Sequence, residues 1–165
     1  MADQRERRAQ LRHEGGMRFV ARTGTGRTVV FGDDVEGNEH SPVEIVAAAL
    51  AACTGMDVAS IMEKKRQRVE SYTVSVGAIQ RAEYPQVLTS IELLHEVVGP
   101  DVTEDSVRRC IELSATKYCP VNAMLSAGET AIHHRYLVRR TGPSPEEVEG
   151  EVMVTGPYRR PDVVD

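Results

Sequence analysis

Three cysteines, Cys53, Cys110 and Cys119, are the side chains of this sequence best suited to covalent chemistry. An odd number of them argues against a structural disulfide framework and leaves thiol reactivity or plain burial. The thiolate is the nucleophile, and a cation or a helix N-terminus favours it. Cys119 stands directly before Pro120 in KYCPVNAML, where the proline ends one helix and can open another, which puts Cys119 at an N-cap. Cys110 falls on the apolar stripe of an amphipathic helix and reads as packing. Cys53 lies inside a long apolar helical pattern, where a buried structural thiol is the ordinary reading. No C-x-x-C or H-E-x-x-H occurs, and His13, His40, His95, His133 and His134 are not spaced as ligands, so no metal is expected. Neither a P-loop nor a G-x-G-x-x-G is present, and no cofactor is expected.

The helix that must position Cys53 runs over residues 41–66, SPVEIVAAALAACTGMDVASIMEKKR. Ser41 suits the N-cap, Pro42 the first helical position, and Glu44 completes an S-x-x-E capping box. Lys64, Lys65 and Arg66 put positive charge on the last turn, at the negative end of the dipole. From residue 43 to 52 only Glu44 is polar, so this half is expected to be buried on every side. About ten apolar residues are too few to span a bilayer, which takes about 20.

Around this helix the pattern is β-β-α-β-β-α-α-β. Residues 19–21 and 28–31 read as strands flanking a Gly24/Gly26 turn, and 70–80 alternates as a half-buried strand with Tyr72, Val74, Val76 and Ala78 on one face. Residues 87–98 form a longer strand, with Ile91, Leu93, His95 and Val97 on one face, expected to pair with it as a hairpin. Thr103 caps a helix with the stripe Val107, Cys110, Ile111, Ser114 and Tyr118, and 131–138 is a closing strand. Residues 1–13 read as a solvated, disordered arm, 14–138 as one domain, and 139–165 as a mostly irregular tail. The class is α+β with mainly antiparallel pairing.

The 165 residues carry a net charge of −5 with acidic and basic residues interspersed, so nucleic acid and anionic membrane are poor partners. The opening MADQRERRAQLRHE is charged throughout and is not a secretory signal, which makes a cytoplasmic location the expectation.

The motifs S-P-x-E-(x)8-C-T-x-x-D-V around Cys53 and K-Y-C-P-V-(x)3-L around Cys119 resemble the OsmC/Ohr family of osmotically inducible and organic hydroperoxide resistance proteins, in its YhfA-like branch. The likeness spans residues 16–138 and includes Tyr84-Pro85 before the second long strand. It implies the OsmC-like fold, a mainly antiparallel sheet packed on a long central helix, in an intertwined homodimer with two sites at the subunit interface. It also implies an antioxidant stress-response function: Cys53 as the peroxidatic cysteine forming a sulfenic acid, Cys119 as the resolving cysteine forming a disulfide with it, and a lipoamide-like dithiol as reductant. In the family an early arginine, held by a glutamate near the helix start, keeps the helical thiolate ionised. Arg18 stands nearest that position, with Arg22 and Arg27 as further candidates, and Glu44 is the candidate carboxylate, one residue later than in the peroxidase branches. Asp57, one turn after Cys53, opposes a thiolate there unless a base neutralises it.

Three readings follow from the sequence. The first is a thiol peroxidase acting on organic hydroperoxides or hydrogen peroxide. The second is a redox-sensing or thiol-exchange protein whose pair forms a slow disulfide. In the third, a dimeric binding module, the shared apolar core holds a small hydrophobic ligand and both cysteines only pack.

Overall fold

The computed structural model describes residues 6–34 and 38–152. The chain divides into two compact units, Met1–Val46 and Ala47–Asp165. In the first, β1 (Ala9–Gly15), β2 (Arg18–Thr23) and β3 (Thr28–Phe31) form an antiparallel sheet in that order. The glycine turn joins β2 to β3: the Thr23 N–H donates to the Arg27 carbonyl at 2.8 Å, and Gly26 takes φ +81°, open to a residue without Cβ. The strand β1 is a difference from the sequence reading, which put residues 9–13 in a disordered arm. All its side chains are exposed, so it lacks the apolar alternation that betrays a strand, and backbone pairing with β2 forms it. Residues 1–5 of that arm lie outside the described residues.

The second unit holds most of α1 (Pro42–Lys64) and a sheet ordered β4 (Ser71–Gln80), β5 (Leu88–Gly99), β6 (Ala131–Arg140), β7 (Glu146–Val152). The β4/β5 hairpin and the β6/β7 pair are antiparallel, whereas β5 and β6 run parallel at the centre. A parallel neighbour needs a crossover, and α2 (Glu104–Leu113), a wide π-type turn Ser114–Tyr118 and α3 (Pro120–Ser126) supply it. The strand β7 is a second difference, since 139–165 was expected to be irregular. Acidic residues on its outer face hide the pattern, but Glu147 and Glu146 answer Arg139 and Arg140 across the ladder, and Val152 closes onto the core. Residues 153–165 of the expected tail lie outside the described residues.

Ala47, Leu50, Ala51, Thr54, Val58 and Met62 are the buried residues of α1 and recur every three or four positions, as one helix face requires. With Val97 of β5, Val107, Cys110 and Ile111 of α2, and Tyr136 and Val138 of β6, the C-terminal half of this face makes the core. The expectation that the first half of α1 is buried all round does not hold for the chain by itself: Val46, Ala48, Ala49 and Ala52 are exposed, as are Met56 and Ala59 beyond them. Apolar residues past Cys53 also make α1 long and apolar enough, by length and composition, to cross a bilayer. Thr54 and Asp57, both hydrogen-bonded to the turns around α3, fit a core helix instead.

Across the sheet centre runs a polar chain. The Tyr72 hydroxyl lies 2.7 Å from His95 Nδ1, His95 Nε2 lies 3.2 Å from His134 Nδ1, and His134 Nε2 lies 3.2 Å from Asn122 Oδ1. Asn122 Nδ2 donates to the Ala115 carbonyl at 3.0 Å, which only accepts, so Oδ1 must face His134. His134 Nε2 is then the donor, and two neutral rings leave one arrangement: Tyr72 O–H to His95, His95 Nε2–H to His134. Burial drives both imidazoles down, His95 to about 3 with His134 adding to it, His134 to about 4 with His133 adding to it.

Two outcomes are expected. Replacing the fully buried Ile111 by alanine should cost about 2–5 kcal/mol by urea denaturation. The histidines bind fewer protons folded than unfolded, so stability should fall as pH drops below the ordinary histidine value of 6.5 toward the folded values. Between pH 6.5 and 5 the two together account for a loss of about 3 kcal/mol, and a flat urea midpoint over that window would contradict a neutral pair.

Candidate functional site

The Cys53 site is made by a break in the second helical run. Pro120 has no N–H and cannot continue the turn Ser114–Tyr118, so Cys119 leaves helical geometry at φ −75°, ψ 105° and becomes the N-cap of α3. Its sulfur accepts the Asn122 backbone N–H at 3.3 Å and the Thr54 hydroxyl of α1 at 3.5 Å. Thr54 is fully buried and Cys119 is 1% exposed. The neighbouring residue on α1, Cys53, is half-buried and follows the Thr54 contact to the same place.

Cys53 Sγ, Cys119 Sγ and an Asp57 carboxylate oxygen lie within 4.8 Å of one another. All three cysteines are free thiols. Asp57 is reached from α1 by one turn, as its i+4 spacing from Cys53 dictates, and its Oδ2 accepts the Ser114 hydroxyl at 2.9 Å. Burial pushes the Cys53 thiol up to about 11, the Cys119 sulfur and the Asp57 charge adding to it and the Val121 backbone N–H opposing it. Burial also raises the Asp57 carboxyl, against the stabilising Ser114 bond. Cys110 is fully buried in the core, and burial raises its thiol.

Arg18 and Glu44 belong to the first unit. Arg18 donates to Glu39 Oε1 at 2.7 Å and to Glu14 Oε2 at 3.2 Å. Arg18 holds Glu39 well below the usual carboxylate range, helped by the Asp34 N–H. Gly32 leaves room for it, since a Cβ there would displace the Glu39 carboxylate from its present position. The carboxylate that holds Arg18 near the helix start is therefore Glu39, which sequence reasoning missed. Its place two residues before Ser41 was a usable signal, hidden by the capping-box reading of Glu44. Glu44 itself is exposed in the first turn of α1, where a negative charge faces the positive end of the helix.

A second feature of the unit containing Cys53 is an open apolar groove. Ala48, Ala52, Met56 and Ala59 of α1 line it with Tyr72 and Val74 of β4. Met56 is 75% exposed, which is costly for an isolated chain.

Residues 35–135 match the family described as OsmC-like protein. The protein YhfA of Escherichia coli (strain K12) is 32% identical over 125 residues, 76% of this chain and 93% of that protein. A hypothetical protein from Aquifex aeolicus VF5 superposes with a TM-score of 0.74 at 25% identity, covering 84% of this chain and 99% of that one. An organic hydroperoxide resistance protein from Elizabethkingia anophelis shares the fold, with a TM-score of 0.63 at 16% identity over 86% of this chain and all of that one. Two cysteine sulfurs brought together by a long helix and a proline-broken crossover, in a chain with these relatives, lead to one conclusion: the chain belongs to the OsmC-like protein family.

Proposed function

We propose that the chain is a thiol-dependent peroxidase in which Cys53 and Cys119 alternate between dithiol and disulfide. The observation that carries this reading is the convergence of the two sulfurs within 4.8 Å, each under a backbone N–H, from segments far apart in sequence. The Cys53 thiolate attacks the O–O bond of a hydroperoxide, releasing an alcohol, or water from hydrogen peroxide, and becomes a sulfenic acid. The Cys119 thiolate then attacks that sulfur, a disulfide forms at about 2.05 Å, and water leaves. A dithiol of the lipoamide class restores both thiols by exchange. Arg18, with Glu39 as its anchor, keeps the role given by the family resemblance, as the cation that favours the Cys53 thiolate, and Glu44 supports the helix start.

The homodimer belongs to the same proposal. A second copy of the chain is the occupant that fits the open face of α1: the small side chains Ala48, Ala52 and Ala59 permit close helix approach, and covering Met56 removes its contact with water. Burying this face would make α1 the core helix that its sequence demands.

One observation favours a slower chemistry. A thiol held at about 11 is almost entirely protonated at neutral pH, and a pair in that condition forms its disulfide slowly and without efficient catalysis, which is the redox-sensing or thiol-exchange reading. The rate of sulfenate formation decides between the two: faster than free cysteine supports the peroxidase, no faster supports the sensor.

Substituting Cys53 by serine is expected to abolish peroxide turnover, while Cys119→Ser leaves a single turnover and a trapped sulfenic acid detectable by mass spectrometry. Multi-turnover activity in the Cys53 variant would remove the enzymatic assignment. Arg18→Ala should slow sulfenate formation at neutral pH by about tenfold or more, measured by stopped flow. Met56→Glu on the exposed apolar face should shift the protein from dimer to monomer in sedimentation; an unchanged dimer would place the interface elsewhere.

A further inference from the structure

The same three side chains that meet at α1 have the composition of a metal site. Two sulfurs and a carboxylate oxygen lie within 4.8 Å of one another. Three ligands of a tetrahedral zinc ion, with bonds of about 2.3 Å to sulfur and about 2.0–2.2 Å to oxygen, stand roughly 3.3–3.8 Å apart. At most about 1.5 Å of side-chain movement therefore separates the observed cluster from coordination.

Each ligand atom also has the outer partner that metal sites use to orient and tune their ligands. The Val121 N–H points to Cys53. The Asn122 N–H and Thr54 hydroxyl point to Cys119, and the Ser114 hydroxyl holds Oδ2 of Asp57. The Asn122 side chain is pinned in turn by the Ala115 carbonyl and His134. Donors of this kind stabilise sulfur and oxygen as anions. The three acid side chains face one another within 4.8 Å. A divalent cation suits such a cluster, because it supplies positive charge at the point where three negative ones would otherwise accumulate.

We propose that Cys53, Asp57 and Cys119 form a three-ligand site for a thiophilic divalent cation, Zn2+ above all, with a fourth position open to water or another ligand. Two thiolates and one carboxylate suit zinc over the hard cations calcium and magnesium, which take oxygen ligands. Sequence spacing gave no such set because two ligands lie one turn apart on α1 and the third arrives from the crossover. Uptake transfers no electron: the two thiols lose their protons to the buffer as the metal–sulfur bonds form. Metal binding and disulfide formation use the same sulfurs and exclude each other, so the ion withholds the pair from peroxide and oxidation expels the ion. The site itself does not rest on the peroxidase reading.

The test uses the full chain, reduced and free of oxygen, titrated with Co2+ as a spectroscopic probe and then with Zn2+ as competitor. A thiolate-to-cobalt charge-transfer band saturating at a single equivalent per chain, displaced by Zn2+, is the expected result. Cys53→Ser and Cys119→Ser should abolish the band, and Cys110→Ser should leave it. Asp57→Asn keeps both thiols, and folding by circular dichroism can be checked beside it; its affinity should fall tenfold or more. Absence of the band in the reduced wild type, its persistence in a Cys53→Ser/Cys119→Ser double variant, or wild-type affinity in Asp57→Asn would each overturn the site. Peroxide turnover without metal uptake would leave the peroxidase reading standing alone, and uptake without turnover would do the reverse.

Discussion

The cysteine site depends on a missing backbone hydrogen. At Pro120 the crossover between β5 and β6 cannot carry its helical hydrogen bonds forward, and the chain answers by widening into a π-type turn over Ser114–Tyr118 and restarting as α3. The residue caught between the two segments is Cys119. An N-cap side chain must accept from the following turn, and here sulfur does so where serine or aspartate is usual. Because that turn packs on α1 through Thr54 and Ser114, the cap sulfur is delivered beside Cys53 and Asp57. A longer α2 would have carried Cys119 past the helix it now meets.

Cys53 and Asp57 are half-buried and Cys119 is buried, beside the buried Thr54, Ser114 and Asn122, whose fixed hydrogen-bond donors take part of the place of water. Such a place stores a demand for positive charge. A guanidinium, a metal ion or a shared proton can each meet it, with different consequences for reactivity. The raised thiol of Cys53 describes the chain by itself, before any of the three arrives.

Much of this was legible in the sequence. Thr103 caps α2 through Ser106, Cys119 caps α3 through Asn122, and the glycine turn joins two strands, each as local chemistry requires. The meeting of Cys53 with Cys119 came from the family resemblance, since nothing in local periodicity brings a crossover turn to a particular helix. Four features escaped. The strand β1 is exposed on every residue and is held by its neighbour's backbone. The strand β7 is mostly acidic, so cross-strand arginines decide its fate over any apolar rhythm. The Glu39 partnership of Arg18 depends on a loop folding back over Gly32, a long-range event. The chain Tyr72–His95–His134–Asn122 was likewise invisible, because a histidine at an inward strand position looks the same whether it packs alone or in a series.

The parallel pairing of β5 and β6 runs ten residues without a shift, from Ser90 opposite Ala131 to Gly99 opposite Arg140. Its two faces keep it in place by opposite means. Inward, His134, Tyr136 and Val138 are buried; outward, Arg135 approaches Glu92 at 3.7 Å, and Arg139 approaches Glu96 at 3.5 Å. A slip of one residue would turn both arginines into the interior and bring the imidazole out. The outer rungs therefore contribute little energy singly but act as a vernier for the inner ones, and through His134 and Asn122 they set where the sulfur of the crossover comes to rest.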